Sequence, residues 1–164
     1  RSRGLGDVYK RQIWHREPNM TVPQNPIVII PARLAATRLP NKPLADIAGT
    51  PLIIRIWRCA MAAGIGRVVV ACGDIEIQRV VENAGGEAVM TDPELISGSD
   101  RVAAAAEAID AEGAHDVVIN LQGDVPEISA KELQAVLKPF NDPAVDMSTI
   151  ATVMNFLFFI LSLI

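Results

Sequence analysis

The stretch Pro26-Ile27-Val28-Ile29-Ile30-Pro31-Ala32-Arg33 decides the fold. Its four central residues form a short continuous apolar run between two prolines, the pattern of a strand buried on both faces. Outward from it, the same pattern returns at Val68–Ala71, at Ala88–Met90 and at Val117–Leu121. Helical signals fill the gaps. Pro51 opens a helix at a favoured first position, and Ala63-Gly64 closes it. Asp74 caps a helix with Ile77, Val80 and Val81 inward, ended by Gly85-Gly86. Ser99 or Asp100 caps an alanine-rich helix reaching Ala111. Ser129 caps one with Leu133, Val136 and Leu137 inward, stopped by Pro139. Val145–Val153 reads as a fifth strand. Strand, helix, strand at this spacing predicts an α/β fold: a three-layer architecture with a mostly parallel sheet covered on both faces.

Composition agrees with one globular domain. The chain has 164 residues, 50% hydrophobic and 21% charged, enough for one real core and hardly for two. A formal net charge of -4 argues against a general nucleic-acid binder, which carries a basic surplus. Cys59 and Cys72 make neither a disulfide scaffold nor a zinc cluster, so the expected compartment is reducing and cytoplasmic.

Chemistry gathers at the strand ends. Ile30-Pro31-Ala32-Arg33, Ala71-Cys72-Gly73-Asp74 and Leu121-Gln122-Gly123-Asp124 each follow a buried run. In an open parallel sheet, ligands bind outside the carboxyl ends of the strands, so the three segments should line one crevice. Gly73 and Gly123 would let a ligand or another backbone approach closely. A helix cap or a turn remains open for any single strand-end aspartate.

The loop Ala32–Pro43 carries Arg33, Arg38 and Lys42, and no acid occurs between Pro18 and Ala45. Cations without counter-ions at a strand's carboxyl end suit a polyphosphate. Arginine offers a planar fork to phosphate oxygens and lysine a mobile point charge. A solvated basic loop is the alternative. Neither a Gly-Lys-Ser/Thr phosphate loop nor Gly-x-Gly-x-x-Gly is present. Asp124 is the candidate metal ligand, since one carboxylate with phosphate oxygens and waters is an ordinary Mg²⁺ arrangement; a turn cap is the alternative. His115 reads as a surface residue, Cys59 as core beside Ile56, and Cys72 as a crevice-rim residue without a His or Cys partner. Trp57 and Met61 read as packing. No Ser-His-Asp set is visible.

Taken together, Ile29-Ile30-Pro31-Ala32-Arg33-Leu34-Ala35-Ala36-Thr37-Arg38-Leu39-Pro40-Asn41-Lys42-Pro43-Leu44 and Ala48-Gly49-Thr50-Pro51 resemble the opening of the 3-deoxy-manno-octulosonate (Kdo) cytidylyltransferases. Ser97-Gly98-Ser99-Asp100-Arg101 and Asn120-Leu121-Gln122-Gly123-Asp124 follow in that family's order. The resemblance covers roughly Pro26–Thr152. It implies a nucleotidyltransferase fold of the nucleotide-diphospho-sugar transferase type, CTP and Kdo as substrates, Mg²⁺ as cofactor, a homodimer, and cytoplasmic work in lipopolysaccharide synthesis. It makes Arg33 and Lys42 the triphosphate and transition-state cations, with Arg38 supporting them. Pro31, Ala32, Cys72, Gly73, Asp74, Ser97, Gly98 and Ser99 would shape the cytidine site, Gln122 would reach the nucleotide, and Asp124 would hold the metal. Asn41 stands where glycine is frequent, Cys72-Gly73 where Thr-Asp is more usual, and Val125 where glutamate is frequent.

Both ends differ from the middle. Residues 1–19 hold five basic residues against two acids and read as upstream sequence, with Met20 the expected start; a basic arm is the alternative. No apolar run follows them, so they are not a secretory signal. Residues 20–152 form the nucleotidyltransferase domain. Residues 153–164 are an apolar tail, foreign or cut short, whose run Phe156–Ile164 falls far below the ~20 residues of a spanning helix. The resemblance implies that the family's sugar site, second metal carboxylate and much of its dimer interface lie beyond this stretch. The other readings are a sialic-acid-type or other sugar nucleotidyltransferase, a non-catalytic nucleotide-binding fragment and a membrane-associated module.

Overall fold

A computed structural model describes residues 23–35, 41–123 and 128–150. The central strand β1 (Pro26–Ala32) is buried along its whole length. It pairs in parallel with β4 (Arg67–Cys72) on one edge and with β6 (Val117–Asn120) on the other; β5 (Glu87–Met90) pairs in parallel with β4. Among the described residues this gives a four-stranded sheet in the order β5-β4-β1-β6. A two-residue antiparallel pair, β2 (Asp46–Ile47) with β3 (Thr50–Pro51), stands apart from it.

The two-residue period of a strand splits the core into two halves. Val28, Ile30, Val68, Val70 and Cys72 face one side, packed by α1 (Leu52–Ala63), α2 (Ile75–Asn83) and α4 (Ala130–Ala135) through residues such as Ile53, Ile56, Ile77, Val81 and Leu133. Ile27, Ile29, Val69 and Ala71 face the other, packed by Val102, Ala105 and Ala106 of α3 (Gly98–Ile109). The expected three layers are therefore present. Sides so enclosed leave no exposed polar position within β1, and its chemistry starts only where the strand ends.

Several boundaries differ from the sequence reading. Pro51 belongs to β3 and occupies the N-cap of α1, which begins at Leu52 and closes at Gly64 in the left-handed region, φ 62°. The cap of α3 is Ser97, neither Ser99 nor Asp100. The Ser97 hydroxyl accepts from the Asp100 N–H at 3.0 Å and the Asp100 carboxylate accepts from the Ser97 N–H at 3.2 Å. Asp100 supplies the acidic partner of a reciprocal capping box. Ser129 caps α4 in the same way with Glu132. This helix ends at Ala135, and Pro139 lies inside a 3₁₀ turn, Lys138–Asn141. Val136 and Leu137 still pack on the core from beyond the helix. Residues 145–150 form no strand, so the fifth strand is not found there; 151–153 lie outside the described residues.

His115 sits at the amino end of β6, the far end of the sheet from the three strand-end motifs. Its Nδ1 is 3.0 Å from the carbonyl of Asn25, and its N–H donates to Asp110. Asp116 accepts from the Asn25 N–H at 3.2 Å. These contacts fasten the start of β1 to the start of β6, so the histidine is structural. Trp57 packs as expected, over Gly86, where a Cβ would come within 3.0 Å of the indole; Met61 is exposed.

The cap assignment yields the first prediction. Ser97→Ala removes an acceptor from the first turn of α3 and should cost ~1 kcal/mol, read as a thermal midpoint a few degrees lower. Ser99→Ala, at one of the two cap positions offered by the sequence, should leave the midpoint unchanged.

Candidate functional site

The parallel register carries the ends of β1, β4 and β6 to one side of the sheet. Beyond the paired residues, the Gly73 N–H donates to the Ala32 carbonyl at 3.0 Å and the Leu121 N–H to the Ile29 carbonyl at 3.1 Å. Here the chain encloses an open cleft of about 280 Å³. Pro31, Ala32 and Arg33 line it from the end of β1, and Lys42 and Pro43 from the returning basic segment. Ser97, Gly98 and Arg101 line it from the start of α3, and Gln122 and Gly123 from the end of β6.

The described part of the basic segment is held at its base by one residue. The Leu34 N–H donates to the Asp74 carboxylate at 2.8 Å, and the Leu34 carbonyl accepts from the Asn41 N–H at 3.2 Å. Asn41 adopts a left-handed backbone, φ 58°, which asparagine tolerates better than most residues. Lys42 follows at once, opening a 3₁₀ turn whose buried Pro43 seats it against the domain. Arg33, on the solvent side, donates from Nη1 to the Leu95 carbonyl at 3.4 Å.

Of the residues singled out from sequence, Pro31, Ala32, Arg33, Lys42, Ser97, Gly98 and Gln122 line this cleft. Cys72, Gly73, Asp74 and Ser99 do not. Cys72 is not at the rim: it is fully buried, its side chain turned into the core layer of α1 and α2, with Sγ donating to the Val70 carbonyl at 3.6 Å. Asp74 stands at the N-cap position of α2 but makes no side-chain cap, because its carboxylate is spent on Leu34. Ser99 accepts from the Asn120 amide at 3.4 Å, and Asn120 in turn accepts from the Gln122 amide at 2.8 Å. This string orders Gln122 at the edge of the cleft. Gly123 does serve a close backbone approach: a Cβ there would stand 2.8 Å from the Pro31 carbonyl oxygen. Arg38 and Asp124 lie outside the described residues.

The residue that the sequence reading left without a role is Arg101. It is 1% exposed, yet it lines the cleft. Its Nη1 donates to the Thr91 hydroxyl, and its Nη2 to the Pro93 carbonyl at 3.5 Å. Burial, and next the nearby charge of Arg33, hold its pKa below the ordinary arginine value. Its signal was present: Arg101, Val102, Ala105 and Ala106 share the buried face of α3, and a cation on an apolar helical stripe is out of pattern.

Among the described residues, no three His, Cys, Asp or Glu side chains converge as a protein-built metal site would require. Asp74, the other strand-end acid, is committed to Leu34. The described residues thus provide no cage for Mg²⁺, and none of the geometry above depends on one. No helix among them is long and apolar enough to cross a membrane.

A cleft at the carboxyl ends of parallel strands, lined by cations and by the start of a helix, has the arrangement in which open parallel sheets receive ligands and in which cations meet phosphate oxygens. A sequence model of the cytidylyltransferases matches residues 27–156, and the chain belongs to that family. Two relatives are both named 3-deoxy-manno-octulosonate cytidylyltransferase. That of Methylobacterium radiotolerans is 58% identical over 126 residues, covering 77% of this chain and 51% of the relative. That of Methylorubrum extorquens is 53% identical over 131 residues, covering 80% and 53%. A solved structure of a CMP:2-keto-3-deoxy-manno-octonic acid synthetase complexed with CTP superposes with a TM-score of 0.69 at 36% identity, covering 74% of this chain and 50% of that one. The chain spans about half the length of the curated relatives it matches.

The thiols yield the second prediction. Burial pushes the Cys72 thiol up to about 12, and burial followed by the charge of Glu132 raises that of Cys59, which donates to the Ile128 carbonyl at 2.9 Å. The thiolate is the reactive form. At pH 8 iodoacetamide should therefore spare Cys72 in the folded protein and label it in denaturant. Rapid labelling of the folded chain at Cys72 would contradict this placement.

Proposed function

We propose that the chain carries the nucleotide-binding part of an enzyme that transfers CMP from CTP to Kdo, releasing pyrophosphate, for lipopolysaccharide synthesis. One observation carries the reading: Arg33, Lys42, Gln122 and the start of α3 surround a single cleft at the strand ends. The names of the relatives at 53–58% identity, and the CTP in the related solved structure, support the substrates.

In this reaction a sugar hydroxyl attacks the α-phosphorus of CTP. The new bond joins sugar oxygen to phosphorus, the bond from phosphorus to the β-bridging oxygen breaks, and the hydroxyl proton is lost. Such transfer demands positioning and charge neutralisation rather than a protein nucleophile. Arg33 and Lys42 would take the triphosphate oxygens and offset charge on the departing pyrophosphate. Pro31 and Ala32 form the wall beside them, and Gln122 supplies an amide at the cleft's edge. Asp124 follows Gly123 in sequence and is proposed as the carboxylate for Mg²⁺, which when bound neutralises phosphate charge. A cytoplasmic location fits the free thiols, and the absence of a nucleic-acid partner fits the net charge of -4. Homodimeric assembly rests on the family resemblance.

Two measurements test the reading. Calorimetry with Mg²⁺ should show CTP bound in preference to ATP, and Arg33→Ala and Lys42→Ala should each weaken CTP by ~1.5–3 kcal/mol, roughly ten- to a hundredfold. Unchanged affinity in both variants would leave the segment a solvated basic face, and equal affinity for all nucleotides would remove the cytidine assignment. Asp124→Asn should abolish the Mg²⁺ dependence of CTP binding and leave the thermal midpoint in place.

A further inference from the structure

We propose that Arg101 is a positioning residue of the cleft: a buried, fixed positive charge behind Arg33 whose place is held open by Gly73. The inference rests on reading the cleft as a triphosphate site.

The first ground is the way Arg101 is buried. Its guanidinium bonds to a hydroxyl and a carbonyl, both neutral, and among the described residues it makes no ion pair with a carboxylate. A cation taken out of water with no carboxylate in contact is costly, and Asp74 and Asp92, which favour the charge from a distance, do not outweigh burial and Arg33. Here the cost falls beside a cleft that Arg33 also lines, and the charge of Arg33 opposes that of Arg101 until an anion arrives. A ligand bearing several negative charges offsets that repulsion, and the charge that cannot move into solvent is the one best preorganised for it.

The second ground is Gly73. It is not among the glycines with positive φ, so its backbone conformation is open to other residues. What excludes a side chain is Arg101: a Cβ at 73 would stand 2.9 Å from Nη1 and 3.0 Å from Nη2. The space ordinarily filled by a side chain at the end of β4 is given to the guanidinium. The sequence reading expected a ligand or a backbone to use that space.

The third ground is what Arg101 holds. Thr91 and Pro93 begin the connection from β5 to α3, and the Thr91 hydroxyl in turn donates to the Cys72 carbonyl at 2.9 Å. The same connection presents the Leu95 carbonyl to Arg33 and delivers Ser97 and Gly98 to the cleft. Arg101 therefore fixes the backbone on which Arg33 rests, and acts on the ligand by its charge and through that backbone.

The test uses inorganic pyrophosphate and CTP as probes in calorimetry on the 164-residue chain, with thermal midpoints measured beside them. Arg101→Met should weaken pyrophosphate about tenfold or more, the scale of one charge a few ångströms away at intermediate dielectric. Arg101→Lys should recover most of that affinity while keeping a lowered midpoint, since it restores the charge but not the planar fork. Gly73→Asp keeps the test sound if Arg101→Met does not fold. Any side chain at 73 meets the guanidinium and displaces it, and the aspartate carboxylate in addition gives Arg101 a partner. Gly73→Asp and Gly73→Asn should lower the midpoint alike, and Gly73→Asp should bind pyrophosphate about tenfold more weakly than the neutral Gly73→Asn. Pyrophosphate affinity unchanged in Arg101→Met or Gly73→Asp, or lowered equally by Asp and Asn at 73, would overturn the inference and leave Arg101 a packing residue. A parent chain that binds CTP through its base but binds no pyrophosphate would overturn the phosphate reading itself, and this inference with it.

Discussion

A strand with hydrogen-bonded neighbours on both edges and helices over both faces has no place for a polar side chain until it ends. β1 is under that constraint for seven residues, Pro26–Ala32, and all seven are buried. Its two neighbours run parallel to it, so all three strands reach their carboxyl ends on the same side of the sheet. The rest follows from that enclosure. The residues released from the core together, Arg33 after β1 and Gln122 after β6, meet across one cleft, while those of β4 remain just behind it.

The cleft is assembled by backbone as much as by side chains. Asp74 occupies a helix-capping position but bonds instead to the Leu34 N–H, and Leu34 closes on Asn41, so the basic segment is anchored at both described ends. Thr91 ties the next connection to the end of β4, and Arg101 ties the start of α3 to that connection. The partners of these ties stand from seven to forty residues apart along the chain. Together they place two loops and a helix terminus around one volume, which is what a phosphorylated ligand with several oxygens requires.

Electrostatics runs against this assembly. Burial lowers the pKa of Arg101, and repulsion from Arg33 lowers it further. The described cleft is thus stabilised by packing and hydrogen bonds and opposed by its own charge. A site of this kind gains when an anion enters, because the repulsion it carries unliganded is then removed.

Much of this was legible in the residues. Continuous apolar runs marked β1, β4 and β6, since a strand covered on both faces must be apolar throughout. Glycine at 64 marked the end of α1, since the backbone there turns left-handed. The cationic segment and its place after β1 could be read from the missing acids around it. Side-chain partnership could not. Sequence offered Ser99 or Asp100 as the cap of α3; the cap is Ser97, whose hydroxyl reaches the Asp100 N–H three residues on. Cys72 faces the core and not the cleft because strand alternation puts it with Val68 and Val70. By sequence Asp74 is a helix cap or a ligand contact, but the folded chain brings the Leu34 N–H, forty residues away in sequence, within 2.8 Å of it. Glycine at 73 was legible as a close approach, and only the tertiary structure decided that what approaches is Arg101. Sequence determines which residues must be buried and where chains of them end; which polar groups then meet depends on contacts between segments distant along the chain, and those exist only once the core has packed.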